Sequence, residues 1–450
     1  MNNAFFSDLL TSISERGRTL LRRVGSSDDP PSASDMIELC EALLSGRGEA
    51  SGTAMAREVL DRYRHLEEAE RLSFFQTLSS NFGPEREKLA KAIKAWRAQP
   101  NKADASDLHF ASEPRRQELI RRLNRAPGGT SDLVAMRADL LDLMKDDKNL
   151  AALDRDVVHL LSSWFNRGFL VLRRIDWSTP ANILEKIIRY EAVHEIRDWN
   201  DLRRRINPVD RRCYAFFHPA LVDEPLIFVE VALTEAIPGA IAPLLAEGRE
   251  LVDIGRARTA VFYSISNTQR GLGGISFGNF LIKQVVEELR RELPKLENFV
   301  TLSPVPGFMS WLKTASDLPV SDEERPLLAR LDEPDWWKNA ELEGQLRSIV
   351  EPLAAYYFLK ARNAKGRLID SVARFHLGNG ARLERINWLG DTSTKGQRES
   401  AGIMVNYLYR LDDIEKNHEA YANDGTVAAS NAVKKLLKGE GRRLLDMRLG

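Results

Sequence analysis

Apolar and polar positions recur with the period of an α-helix through roughly the first 165 residues. Glycine-containing or turn-forming stretches at 46–52 and 81–84 interrupt this pattern. The helical period is clearest over residues 34–44, 84–96, 131–144 and 150–165. The pattern therefore predicts an all-helical N-terminal domain over residues 1–165.

A different pattern begins at Gly168, where short apolar runs of strand length alternate with helical stretches. Alternation of this kind indicates a sheet covered by helices. Charged helices between 322 and 365 are typical of an insertion. Strands are predicted at 168–177, 213–217, 226–233 and 261–266, with a helix at 183–193. The predicted fold class is α + α/β, with a mixed-sheet domain over 166–450.

Composition narrows the class of protein. At 450 residues the chain is long enough for two or three domains. Its 65 basic and 65 acidic residues cancel, whereas a nucleic-acid-binding protein would show a basic excess. Cys40 and Cys213 lie far apart, in no metal-binding spacing, which is typical of a reducing compartment. No apolar run reaches the length of a transmembrane helix. We expect a cytoplasmic protein with neither nucleic acid nor membrane as partner.

The N-terminal segment Met1–Arg23 is amphipathic and contains several arginines. A mitochondrial transit peptide has this character, but such peptides are poor in acidic residues. Asp8 and Glu15 interrupt the pattern. We therefore predict an ordinary first helix.

The segment Val261–Val285 passes from an apolar strand through a glycine-rich turn into a helix. Backbone N–H groups and the positive end of a helix dipole make such a turn an anion site, and glycine lets the backbone approach a phosphate closely. It is not a P-loop, because no G-K-[ST] follows, and a turn that binds nothing is the alternative. The predicted phosphate-binding loop contains Gly271, Gly273, Gly274, Ile275, Ser276, Phe277, Gly278 and Asn279, and Thr268 and Gln269 before it are predicted as further ligand-binding residues.

Within this segment, Gly274 to Gly278 match the G-x-S-x-G pattern of a nucleophile elbow. In a true elbow the strand runs directly into the nucleophilic serine. Here the predicted strand ends near Ser266, and Ser276 falls in the first turn of a helix, where serine is common as a cap. We therefore interpret Ser276 as part of the phosphate loop.

Two further motifs contain candidate catalytic side chains. Ser303 precedes a Pro-x-Pro-Gly turn, whose prolines restrict the backbone and can fix the direction of a side chain. His376 is one of 7 histidines and lies in R-F-H-L-G-N-G-A. Taken singly, a capping serine and a packed core histidine are the alternatives. His218 is interpreted as structural, with an approach to the substrate as the alternative. For Glu230, a buried carboxylate pair and a catalytic role are both open.

Taken in order, the motifs resemble the malonyl-CoA decarboxylases. The matching blocks are F-F-H-P-A-L from Phe216, E-P-L-I-F-V-E-V-A-L-T from Glu224, Y-S-I-S-x-T-Q-x-G-L-x-G, L-S-P-x-P-G-F, F-H-L-x-N-G-A, R-I-N-W and N-Y-x-Y. They extend from about Ile188 to Tyr409. The resemblance implies a fold like that of the GNAT acyltransferases, with the glycine loop on the CoA pyrophosphate.

The same resemblance implies a reaction and its residues. Malonyl-CoA would lose CO2 to give acetyl-CoA without a cofactor, with Ser303 and His376 as the catalytic pair. Ser264, Asn406 and Tyr409 match pocket-lining positions of the family. Relatives suggest a homodimer or homotetramer, which we assign to the helical domain.

The chain departs from related patterns at two positions of the loop. Ser276 stands where some relatives carry Glu, and Thr268 stands where acyltransferases carry Gln or Arg. The residue at Thr268 weakens the interpretation as a GNAT acyltransferase that uses acetyl-CoA and an amine. That function and a non-catalytic acyl-CoA sensor are the alternatives.

Overall fold

The computed structural model describes residues 33–45, 48–98, 105–275, 281–315 and 318–437. The helix predicted at Met1–Arg23 lies outside these ranges. The described residues form two compact units. One contains the chain up to Val171 together with Phe217–Glu224 and Gln269–Phe277; the other contains Leu172–Phe216, Pro225–Thr268 and Gly278–Gly450. The domain boundary near Asn166 stays a prediction.

The N-terminal region is helical, as its apolar period predicts. All four predicted helices are found, with ends that differ by a few residues from the predicted bounds. The helices are α1 Ala33–Leu44, α2 Glu49–Arg64, α3 Glu68–Asn81, α4 Arg86–Ala98, α5 Ala105–Ser112, α6 Arg115–Leu123, α7 Gly129–Leu143 and α8 Ala151–Trp164.

Helix α7 is fixed among its neighbours by a buried carboxylate. Asp132, in the first turn of α7, forms ion pairs with Arg57 at 2.8 Å and Arg64 at 2.5 Å, both on α2. A carboxylate in the first turn also suits the positive end of the helix dipole. Helix α7 also carries a side chain, Arg137, that contacts the glycine loop.

The remaining chain builds a mixed sheet, so the predicted order of a helical region followed by a sheet is confirmed. Within the described residues the sheet has the strand order β1-β2-β3-β4-β5-β8-β6, with β7 also paired to β8. The strands are β1 Val171–Ile175, β2 Arg211–Phe217, β3 Pro225–Thr234, β4 Thr259–Asn267, β5 Asn298–Thr301, β6 Ser303–Pro304, β7 Arg382–Asn387 and β8 Met404–Leu408.

The sheet opens beside the second half of β4. Strand β3 pairs antiparallel with β4 along its length, but β5 pairs with β4 only from Thr259 to Phe262. After Thr301 the chain turns away from β4, and Ser303 pairs with Val405 of β8 instead. Among the described strands, β4 beyond Phe262 therefore has a ladder partner on one side.

Helices cover this sheet and connect its strands. The predicted helix at 183–193 is confirmed but ends at Tyr190. The helices of this region are α9 Ala181–Tyr190, α10 Trp199–Ile206, α11 Ala242–Leu245, α12 Leu281–Glu292, α13 Phe308–Thr314, α14 Glu324–Ala329, α15 Ala340–Leu359, α16 Ser371–Gly378, α17 Thr394–Ser400 and α18 Ile414–Asp424. None of the described helices is long and apolar enough to cross a membrane.

Candidate active site

Ser303 is held where the sheet opens. It lies in the two-residue strand β6 opposite Val405, and it is 6% exposed. The prolines that follow it restrict the backbone. Its hydroxyl donates a hydrogen bond to Thr301 Oγ1 at 2.9 Å, and Thr301 Oγ1 also accepts the backbone N–H of Tyr407 at 3.1 Å. The serine side chain is therefore fixed by the end of β5 and by β8.

His376 reaches the same place from a short helix. Asp370 caps the start of α16 by accepting the N–H of Ala373 at 2.7 Å. His376 lies in the last turn and is 3% exposed. Its ring stacks on Tyr407, with centroids 4.6 Å apart and planes inclined by 23°. Stacking leaves the ring edge, which carries both nitrogens, available for hydrogen bonds.

A chain of hydrogen bonds joins Tyr409, His376 and Ser303. The Tyr409 hydroxyl lies 2.8 Å from His376 Nδ1, and His376 Nε2 lies 3.3 Å from Ser303 Oγ. Burial raises the pKa of Tyr409 well above its usual value, so its hydroxyl keeps the proton and donates to Nδ1. We infer that Nε2 carries the histidine proton and directs it toward Ser303.

Burial also decides the charge of His376. Removal from water disfavours the imidazolium ion and lowers the pKa of His376 to about 3. The free protein therefore holds a neutral imidazole at physiological pH. An anion bound beside it would raise this pKa, because a negative charge stabilises the imidazolium.

We expect the imidazole of His376 to stay neutral from pH 8 down to pH 5. Because its folded-state pKa lies below the usual value near 6.5, its contribution to stability falls as the pH drops from about 6.5 toward 3. The ring C–H signals of His376 in an NMR titration, identified by their absence from His376→Gln, check this. A midpoint near 6.5 for those signals would contradict it.

Asn406 stabilises the backbone of this site through hydrogen bonds. It is fully buried, and its amide donates to the Thr301 carbonyl at 2.8 Å. Its own oxygen accepts a bond from Asn387 at 2.9 Å and one from Arg385 at 3.1 Å. These bonds fix the backbone next to Ser303, so the predicted pocket residue Asn406 acts here as a scaffold.

Ser264 belongs to a second hydrogen-bond cluster, on the open part of β4. Its hydroxyl lies 2.7 Å from both carboxylate oxygens of Glu191, which also accepts from Ser266 at 3.2 Å. The N–H groups of Val193 and His194 donate to the same carboxylate. Four donors thus hold Glu191 against the two β4 serines.

The glycine loop is described up to Ile275, and the predicted residues Ser276, Phe277, Gly278 and Asn279 lie outside the described residues. Gly271 is buried, and a side chain there would meet the Val134 carbonyl 1.8 Å from its Cβ. Gly273 and Gly274 are exposed, and Gly274 has a positive φ of 78°. Gly271 is therefore required for packing, and the two exposed glycines leave the backbone accessible.

The other predicted loop residues hold the two ends of the turn. The Thr268 hydroxyl bonds to the Pro225 and Leu226 carbonyls at the start of β3. Gln269 donates to Glu224 at 3.4 Å, and Ile275 is buried.

Two residues that form hydrogen bonds with the predicted site residues were not predicted from the sequence. Thr301 is two positions before Ser303, so strand alternation places both side chains on one face and could have revealed it. Glu191 follows helix α9 in an irregular segment and has no sequence signal. His218 and Glu230 both have partners within the fold: His218 bonds to the Trp164 carbonyl at 3.0 Å, and the fully buried Glu230 pairs with Arg205 at 3.1 Å.

Comparison with protein families matches the chain twice. Residues 82–165 match the malonyl-CoA decarboxylase N-terminal domain, and residues 168–447 match the malonyl-CoA decarboxylase C-terminal domain. A mitochondrial malonyl-CoA decarboxylase of Anser anser anser is 36% identical over 413 residues, which cover 84% of this chain and 82% of the relative. The Rattus norvegicus enzyme is 34% identical, covering 82% of each chain.

Solved structures agree with these relatives. The crystal structure of a malonyl-CoA decarboxylase from Rhodopseudomonas palustris is 58% identical, covers 90% of this chain and 100% of its own, and has a TM-score of 0.88. The enzyme from Agrobacterium vitis is also 58% identical, with a TM-score of 0.85 over 90% of this chain and 99% of its own.

Proposed function

The chain belongs to the malonyl-CoA decarboxylase family and is a carboxy-lyase that converts malonyl-CoA into acetyl-CoA and CO2; we propose that it does so through an enolate held by Ser303 and protonated by His376. The observation that supports this mechanism is the hydrogen-bond chain from Tyr409 through His376 to Ser303. In this chain a hydroxyl and an imidazole lie within hydrogen-bonding distance of each other, and both side chains are buried.

The reaction requires the protein to stabilise a negative charge and to deliver a proton. Loss of CO2 leaves negative charge on the thioester oxygen, and the α-carbon must then receive a proton. The Ser303 hydroxyl can turn from Thr301 to donate to that oxygen. His376 gains a proton when the malonyl carboxylate binds beside it, because the anion raises its pKa, and it delivers this proton to carbon. The net reaction consumes one proton, which solvent returns to His376.

We propose that no metal ion or organic cofactor takes part. The thioester carbonyl itself accepts the electron pair that CO2 leaves behind, so an added electron sink is unnecessary. A buried site also favours CO2 loss by removing water from the substrate carboxylate. The phosphates of CoA are assigned to the glycine loop, and the malonyl group to the Ser303 and His376 site.

Incubation of the purified protein with malonyl-CoA, EDTA and no acceptor tests this proposal. Acetyl-CoA and CO2 should form in equal amounts. An acyltransferase would need an amine, and an acyl-CoA sensor would form no product. Loss of activity with EDTA that zinc or magnesium restores would overturn the cofactor proposal while leaving the reaction in place.

Ser276 separates the proposed mechanism from a nucleophile-elbow mechanism. As a member of the phosphate loop it should affect binding alone, so we expect Ser276→Ala to raise KM with kcat within about twofold of the wild type. Mass spectrometry should find no acyl-enzyme. An inactive Ser276→Ala variant, with an acyl-enzyme in the wild type, would refute the assignment of Ser303.

We propose a homodimer or homotetramer assembled through the helical region, in the cytoplasm. The support is that this region carries none of the chemical motifs. Both cysteines, Cys40 and Cys213, are free and buried, as suits a reducing compartment. Light scattering should give two or four times the chain mass of 50.9 kDa. A monomer at working concentration would exclude the assembly.

A further inference from the structure

Beneath the glycine loop lies a buried arginine of the N-terminal helical region. Arg137, on α7, is 4% exposed. One terminal nitrogen of its guanidinium donates to the Gly271 carbonyl at 2.7 Å and to the Gly273 carbonyl at 2.9 Å. Its Nε donates to the Asp154 carboxylate on α8 at 2.8 Å. A single side chain therefore joins two helices to the carbonyls of Gly271 and Gly273.

These bonds fix the orientation of the peptide groups in the loop. In a trans peptide the carbonyl and the N–H of the next residue point in opposite directions. Because the Gly273 carbonyl points down to Arg137, the Gly274 N–H points away from it. Both Gly273 and Gly274 are exposed. A backbone N–H that is directed away from the buried guanidinium in an exposed turn can bind an anion.

Two other contacts hold the loop against α7. Gly271 packs on the Val134 carbonyl so closely that it has no space for a side chain. At the surface, Arg270 forms an ion pair with Asp142, which contributes little because both groups are solvated. The buried guanidinium is thus the main polar anchor. Asp154 offsets the charge of Arg137. Arg137 therefore acts more by orienting the carbonyl groups of the loop than by attracting an anion electrostatically.

We propose that Arg137 is a positioning residue for substrate binding, which holds the glycine loop in the conformation that receives the CoA phosphates. This rests on the proposed assignment of those phosphates to the loop. Arg137 does not touch the reacting atoms, so its loss should weaken binding without slowing the chemical step. The helical region then contributes to the substrate affinity as well as to the fold.

The test is the kinetics of Arg137→Met on the full-length protein. Methionine fills much of the space but donates no hydrogen bond. We expect KM for malonyl-CoA to rise about tenfold with kcat within about twofold, and the affinity for CoA in calorimetry to fall by the same factor. Arg137→Lys can reach one carbonyl at a time and should give an intermediate KM.

Arg116→Met is the matched control. Arg116 is a buried arginine of the same helical region that pairs with Asp156 at 2.5 Å and donates to the Ser79 carbonyl at 3.0 Å, away from the loop. We expect the Arg116→Met variant to have a lower melting temperature, as Arg137→Met does, but an unchanged KM for malonyl-CoA. An equal rise of KM in both variants would make Arg137 a merely structural residue and overturn the proposal.

Gly273→Val distinguishes the two ways in which the proposal can fail. Its added side chain lies on the exposed side of the loop, with the Arg270 carbonyl 3.1 Å from the new Cβ. If Gly273→Val raises KM and neither Arg137 variant does, the loop binds CoA without help from Arg137. If none of these variants changes KM, the phosphates are not held by this loop. Should Arg137→Met fail to fold, Arg137→Lys decides.

Discussion

Replacement of His376 by glutamine should lower kcat by about 10²- to 10⁴-fold, the usual contribution of a general acid or base. Glutamine keeps a polar group of similar reach between Ser303 and Tyr409, but it cannot deliver a proton. KM should change much less than kcat, because the CoA phosphates are assigned to other residues and only the malonyl group is assigned to this site. Steady-state formation of acetyl-CoA from malonyl-CoA, with CO2 measured in parallel, checks this expectation.

His218→Gln is the control for that variant. His218 is also a buried histidine whose pKa burial lowers, but it packs against Phe165 with ring centroids 4.6 Å apart. We expect nearly normal kcat for His218→Gln. If His376→Gln keeps more than about a tenth of the wild-type kcat, another group supplies the proton.

Ser303→Ala should lower kcat by about 10²- to 10³-fold, as removal of a single oxyanion donor does in other enzymes. The physical reason is the loss of one hydrogen bond to the oxygen that gains negative charge as CO2 leaves. Binding of CoA should remain within about twofold, since CoA lacks the malonyl group. Single-turnover kinetics with malonyl-CoA, which separate the chemical step from product release, are the measurement.

Ser400→Ala controls for removal of a buried hydroxyl from the same unit. Ser400 is 2% exposed and donates to the carbonyls of Gly396 and Ile403. It should cost some stability and no activity. Equal loss of kcat in Ser303→Ala and Ser400→Ala, with equal loss of melting temperature, would assign the effect of Ser303 to the fold.

The two catalytic candidates differ in how directly the sequence indicated them. Prolines after Ser303 predict a rigid turn, and the turn is found next to the short strand β6. The local sequence pattern around His376 does not distinguish a catalytic histidine from a packed one. In the structure His376 lies in a buried turn of a helix, as a packed histidine also would. Its importance came from the order of several motifs along the chain.

The sequence by itself determined the elements and their order. Helical periodicity in the N-terminal region and strand-length apolar runs after Gly168 reflect local geometry, because each element must turn an apolar face toward a core. The same local logic predicted the strand that ends in the glycine loop. These features depend on neighbours within a few residues, and a pattern can therefore show them.

Only the tertiary structure decided which distant side chains meet. Ser303 and His376 are separated by 73 positions, and the 3.3 Å between their polar atoms depends on how β6, β8 and α16 pack. Likewise, the sequence shows Arg137 only as a polar residue within an apolar helix face. Its contact with Gly271, 134 positions later, cannot be predicted from the spacing of residues along the chain. Hydrogen bonds and desolvation act over a few ångströms in space, whatever the distance along the chain, so the burial that lowers the pKa of His376 comes from the fold.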